Sequence, residues 1–128
     1  MANELILVVE DNDKNRKLAR DVLAHQGYRV VEAESAEDGL ALVARDHPSL
    51  ILMDIHLPGM DGIEALRRLR GDAATRAIPV IAVTASAMTH DRATINAAGF
   101  DGYQSKPISV RPFLAAVREA LDRAAGEA

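Results

Sequence analysis

The stretch Leu50-Ile51-Leu52-Met53-Asp54 decides the fold: four apolar residues in a row, then a carboxylate. A run this short that is apolar at every position lacks the alternation of a half-exposed strand, and reads as a strand covered by helices on both faces. Two further runs have the same form. Residues 5–9, Leu-Ile-Leu-Val-Val, lead into Glu10-Asp11, and residues 80–83, Val-Ile-Ala-Val, lead into Thr84. Residues 28–33 make another strand, but Arg29 and Glu32 interrupt its apolar character, which suits a sheet edge. A fifth strand, at 102–105, is weak by itself and takes its place from the alternation around it.

Helical patterns fill the intervals. Asn12 or Asp13 caps a first helix in which Leu18, Val22 and Leu23 share a face, and Gly27 stops it. Ser35 caps the second, with Asp38 three residues on and a stripe of Ala36, Leu40 and Val43. A third covers 63–70, with Ile63, Leu66 and Arg70 in line, and a fourth covers 88–98 and ends at Gly99. Ser109 caps the last, where Phe113, Val117 and Leu121 recur every four residues and Pro112 is tolerated in the first turn. Strand and helix thus alternate five times. Short connections and right-handed crossovers make this an α/β fold: a five-stranded parallel sheet of flavodoxin-like order 2-1-3-4-5, with five helices on both faces.

A length of 128 residues with 48% apolar content fits one domain with a sizeable core. The expectation is a single domain over 1–128, its core at about 4–122, and a short tail at 123–128 that frays. Fifteen Lys and Arg against nineteen Asp and Glu give a formal charge of −4, which argues against a nucleic-acid binder. The absence of cysteine excludes disulfides and thiolate metal sites. No basic segment precedes an apolar run at the N-terminus, and no stretch approaches the ~20 apolar residues that span a bilayer. A cytoplasmic location without membrane association is the expectation.

In an open parallel sheet, ligands bind beyond the carboxyl ends of the strands, near the point where strand order reverses. There this sequence places Glu10 and Asp11, Asp54, Thr84 and Lys106-Pro107: three carboxylates, a hydroxyl and an ammonium on one rim. Singly, each has an ordinary structural reading. The acids suit a helix N-terminus or a turn, the threonine a structural role, and the lysine open water. Jointly they point to chemistry. Three converging acids repel one another unless a cation intervenes, and Mg²⁺ takes oxygen ligands from a few carboxylates, waters and phosphate. Lys106 can neutralise a phosphate oxygen and the Thr84 hydroxyl can donate to another.

Four segments carry a family resemblance: Val8-Val9-Glu10-Asp11-Asn12, Met53-Asp54-Ile55-His56-Leu57-Pro58-Gly59-Met60-Asp61-Gly62, Val83-Thr84-Ala85 and Ser105-Lys106-Pro107. In this order and spacing they resemble the signature of bacterial two-component response-regulator receiver domains, the CheY-like superfamily, and in particular single-domain receivers of the DivK type. The resemblance covers about residues 4 to 122. It implies a phospho-accepting regulator of a two-component or phosphorelay system, with Asp54 taking a phosphoryl group from a phosphohistidine on a sensor histidine kinase or histidine phosphotransfer protein. It implies that Glu10, Asp11, Asp54 and the backbone carbonyl of His56 serve Mg²⁺, with Mn²⁺ a possible substitute. Thr84 and Lys106 would hold phosphoryl oxygens, Tyr103 would be the aromatic switch, and the bond before Pro107 would be cis. His56 and Ser86 would lie near the path of the attacking water. The output surface would be the face of helix four, strand five and helix five, with Ile95, Tyr103 and Val110, and it could also serve a phosphorylation-dependent dimer. The pocket opens with Glu-Asp where others have Asp-Asp. His25, His47 and His90 have no ligand-like spacing and are expected in solvent.

The main alternative is a small hydrolase working through the same aspartyl phosphate. Such enzymes use Asp-x-Asp, whereas His56 stands at the second position here, and no cap insertion encloses a small substrate. A nucleotide or flavin module would need glycines or hydroxyls after the first strand, where Glu10-Asp11-Asn12-Asp13 repels anions. A DNA-binding output domain after about residue 122 is not expected, so the chain is read as a signalling receiver that catalyses only its own phosphorylation and dephosphorylation.

Overall fold

The computed structural model describes residues 3–84, 89–106 and 108–126, with only the backbone described at 89–92. The apolar runs form β1 (Leu5–Val9), β2 (Arg29–Ala33), β3 (Leu50–Asp54), β4 (Val80–Thr84) and β5 (Gly102–Ser105). All neighbours pair in parallel, in the order β2-β1-β3-β4-β5, with β2 at an edge as its charged residues require. The helices are α1 (Asp13–His25), α2 (Ala36–Asp46), α3 (Gly62–Arg70), α4 (Thr89–Ala98) and α5 (Val110–Gly126).

Caps set the helix starts. Asn12, not Asp13, is the N-cap of α1: its side chain accepts the Asn15 N–H. Ser35 accepts from Asp38 at the start of α2, and Asp61 accepts from Glu64 at the start of α3. Gly27 and Gly99 follow α1 and α4 with φ of 101° and 102°, the left-handed region that stops a helix at no steric cost. His47 occupies that region at the end of α2 with φ of 49°, and its N–H still reaches the Val43 carbonyl.

The two faces of the sheet alternate along each strand. Leu7, Val9, Ile51, Met53, Val80 and Ala82 pack under α2, α3 and α4, while Ile6, Val8, Leu50, Leu52 and Ile81 pack under α1 and α5. Burial on both faces explains the unbroken apolar runs.

Three expectations need correction. Leu18 does not face the core: α1 seats on Ala19 and Leu23, which puts Leu18 on the flank at 39% exposure. Ile95 lies in the core at 2% exposure, so it cannot belong to an output surface, whereas Val110 is 50% exposed. The described residues after 122 are helical, not frayed, since α5 continues to Gly126, helped by alanines and the i,i+4 pairs Arg118–Asp122 and Glu119–Arg123. The start of the fourth helix at Met88, the segment Ala85-Ser86, the His90 side chain and the bond at Pro107 lie outside the described residues. Among the described residues no helix is long and apolar enough to cross a membrane.

Candidate functional site

Register brings distant residues to one edge. Val9 pairs with Met53, so Glu10 emerges beside Asp54; Asp54 pairs with Val83 and Thr84 with Ser105, so Thr84 and Lys106 follow in steps. Backbone bonds extend the ladder past the strands: Glu10 N–H donates to the Ala33 carbonyl at 3.0 Å and Lys106 N–H to the Thr84 carbonyl at 2.8 Å. The loop after β3 turns back onto the strand end, where Gly62 N–H donates to the Ile55 carbonyl at 3.0 Å. A Cβ at Gly62 would meet the Asp54 carbonyl oxygen at 2.5 Å, so only glycine permits this approach.

Carboxylate oxygens of Glu10, Asp11 and Asp54 lie within 4.8 Å of one another. Glu10 and Asp54 are buried, at 5% and 3% exposure, and Asp11 is open to solvent. The Lys106 ammonium sits between the two buried acids, 2.5 Å from Glu10 Oε1 and 3.0 Å from Asp54 Oδ2. The other oxygens accept backbone donors: Asp54 Oδ1 from the His56 N–H at 3.0 Å and Glu10 Oε2 from the Asn12 N–H at 3.1 Å. Both buried acids are therefore satisfied, as burial of charge demands.

Charge is still unbalanced, with three carboxylates facing one ammonium. Burial pushes the Glu10 carboxyl up to about 7; the Lys106 ammonium and the Asn12 N–H oppose this, while neighbouring Asp54 adds to it. Burial acts to lower Lys106, but the hydrogen bonds and charges of Glu10 and Asp54 prevail and raise it, keeping the lysine cationic. Apolar residues Val83, Ile108 and Phe113 line a small gap with Lys106, which accounts for its loss of water.

The donor set fits a hard cation. All donors are oxygens, and removing the repulsion among three acids is what a divalent ion would do. Glu10, Asp11 and Asp54 are the only such group among the described residues. They line the notch with Asn12, Asn15, His56 and Lys106.

The structure thus gathers Glu10, Asp11, Asp54, His56 and Lys106 in one notch. Thr84 is placed next door: it is buried at 1% exposure and lines an adjoining cavity of about 100 Å³ with Ile55, His56, Ile63, Thr94 and Ile95. Tyr103 is half-buried and packs against the core on the α4 side. The expected exposure holds for His25 and His47, and the His56 side chain is exposed too. Sequence reading overlooked Asn15, which reaches the notch because it stands one helical turn beyond the cap Asn12, a spacing that could have flagged it. It also overlooked the direct pairing of Lys106 with Glu10, which no sequence pattern encodes.

A family model for the response regulator receiver domain matches residues 6–118. The polar-differentiation response regulator DivK of Brucella ovis is 44% identical over 116 residues, spanning 91% of this chain and 94% of that protein. Among solved structures, a CheY-like receiver domain protein from Methanospirillum hungatei superposes with a TM-score of 0.89 at 31% identity, covering 98% of this chain and 99% of the other. The receiver domain of a sensor histidine kinase from Pseudomonas aeruginosa, solved with a magnesium ion coordinated in its active-site cleft, superposes with a TM-score of 0.87 at 32% identity over 94% of this chain and 98% of that one. The match to the family model and the similarity to DivK both extend across nearly the whole sheet, and this chain belongs to the response regulator receiver domain family.

Proposed function

We propose that Asp54 is the phospho-acceptor of this receiver, taking a phosphoryl group from a phosphohistidine on a sensor histidine kinase or histidine phosphotransfer protein. The observation that carries the reading is the convergence of three carboxylates and one ammonium at the end of the central strand. Asp11, Asp54, the His56 carbonyl and Glu10, the last partly through water, are the groups that would hold Mg²⁺, with Mn²⁺ a possible substitute; the bound ion would draw negative charge from the phosphoryl oxygens. Asp54 supplies an oxygen to phosphorus as the phosphorus–nitrogen bond breaks, and the electron pair leaves with the donor imidazole. Lys106, already 3.0 Å from Asp54 Oδ2, transfers its contact to a phosphoryl oxygen and stabilises the developing charge. Water later hydrolyses the acyl phosphate and restores the carboxylate, so the mark is temporary.

Signalling follows as a population shift. The Thr84 hydroxyl is drawn toward the phosphoryl group, Tyr103 rotates into the space released, and the face of α4, β5 and α5 changes shape. Tyr103 and exposed Val110 remain on that face; Ile95 does not. This face is the proposed site for a downstream protein or a phosphorylation-dependent dimer, and the domain acts in the cytoplasm without binding nucleic acid or membrane.

Incubation with acetyl phosphate and Mg²⁺, followed by intact-mass analysis and native sizing, tests the chemistry. One phosphoryl group per chain is expected on the wild type and none on Asp54→Asn. Labelling that persists in Asp54→Asn, or sustained turnover of a small phosphomonoester, would overturn the assignment.

A further inference from the structure

Asp11 is the exposed member of the acidic trio, and beside the Asn12 N–H bond to Glu10 Oε2 the turn that carries it is held by Arg16 of α1. The carbonyls on either side of it in the chain, those of Glu10 and Asn12, both accept hydrogen bonds from Arg16. Arg16 Nη1 donates to the Glu10 carbonyl at 3.0 Å, and the Arg16 backbone N–H donates to the Asn12 carbonyl at 2.9 Å. The backbone bond is the first i→i−4 bond of α1, so the guanidinium bond to the Glu10 carbonyl is the contact with the Asp11 turn that depends on arginine.

The arginine is itself fixed. Its Nη2 bonds Asp13 Oδ1 at 2.5 Å and lies 3.7 Å from Glu34 Oε1, while its Nε lies 3.5 Å from Glu32 Oε1. Its side chain is only 15% exposed although Asp13 and Glu34 beside it are 81% and 71% exposed. One guanidinium fork therefore ties together the end of β1, the first turn of α1 and the end of β2. Three carboxylates surround it, so it projects little positive charge into the notch. Its geometry, rather than its charge, is what it offers the site.

We propose that Arg16 is a positioning residue for the cation-binding turn, holding Glu10, Asp11 and Asn12 so that the acidic oxygens keep the spacing a metal ion needs. The inference rests on the reading of the notch as an Mg²⁺ site. Groups that orient metal ligands from behind are commonly worth tenfold or more in metal affinity.

Charge and geometry make opposite forecasts for Arg16→Gln. Removing a cation near an acidic notch would tighten Mg²⁺ binding; releasing the turn would weaken it. The expected result is weaker binding by on the order of tenfold, read by titration of Mg²⁺ against a thermal shift. The Mg²⁺ concentration for half-maximal labelling by acetyl phosphate should rise by the same factor, with the limiting rate nearly unchanged. Arg16→Lys, which keeps the charge but cannot span the same acceptors, should fall between the two and also serves if the glutamine variant fails to fold. Amide exchange in the metal-free protein should quicken at Asp11 and Asn12 in both variants. Unchanged or tighter Mg²⁺ binding, or unchanged exchange at that turn, would overturn the proposal. Failure of the wild type to bind Mg²⁺ would instead strike the reading of the notch, and the exchange arm would still decide whether Arg16 holds the turn.

Discussion

Glu10 should make the metal-free protein less stable as pH rises from about 4.5 to about 7, and Glu10→Gln should remove that dependence. The folded state holds this carboxyl up to about 7, against an ordinary 4.5, because it is buried beside Asp54. Between those limits the folded chain binds the proton and the unfolded chain has released it, so the contribution is complete below about pH 4.5 and lost as pH passes through about 7. At ~1.4 kcal/mol per pH unit the ceiling is about 3 kcal/mol. Water at the open mouth of the notch screens the charge, which leaves roughly 1–2 kcal/mol. Gln matches the protonated carboxyl in shape and cannot ionise. The wild-type stability minus that of Glu10→Gln should therefore fall by about 1–2 kcal/mol between pH 4.5 and 7.5, or roughly 3–8 °C in Tm for a chain of this size. Urea unfolding in EDTA followed by circular dichroism is suited to a chain that lacks tryptophan. Added Mg²⁺ should flatten the wild-type curve at neutral pH, since a nearby dication favours the ionised form. Parallel curves for the two proteins across this range would mean that Glu10 is not held protonated, and the buried arrangement with Asp54 and Lys106 would be wrong.

Two further variants probe the same edge. Gly62→Ala should cost about 2–3 kcal/mol in urea unfolding, because its Cβ would press on the Asp54 carbonyl and the loop has to shift; a loss well under ~1 kcal/mol would show that the loop does not sit on the strand end. Lys106→Ala should destabilise the metal-free protein by about 1–3 kcal/mol at neutral pH, since two buried acids lose their shared cation, and Mg²⁺ should restore part of the loss. Equal stability with and without the lysine would remove its place between Glu10 and Asp54.

Much of this molecule could be read from local pattern. A strand buried on both faces must be apolar at every position, so Leu50 to Met53 declared both the strand and the helical layers over it, and the cap candidates, Asn12 or Asp13 for the first helix and Ser35 for the second, declared where helices start. Where local pattern runs out, error follows. Leu18 lies on the apolar side of its helix by periodicity, yet the rotation of α1 against the sheet was set by Ala19 and Leu23, a matter of packing between elements. Ile95 was assigned to the output surface through the family resemblance, which names a face and not which of its residues the core covers.

The acids, the hydroxyl and the lysine were each visible at strand ends, and strand order placed them on one rim. The sequence alone thus determined the alternation of elements, the sheet order and the identity of the residues at its carboxyl edge, because these depend on periodicity, turn chemistry and chain handedness. Only the tertiary structure decided that Lys106 bridges Glu10 and Asp54, that Thr84 faces a neighbouring cavity, and that Arg16 braces the acidic turn. The Lys106 contacts join side chains 52 and 96 positions apart and the Arg16 contact reaches from a side chain to a backbone carbonyl, and their distances follow from register, twist and burial, which no residue carries by itself.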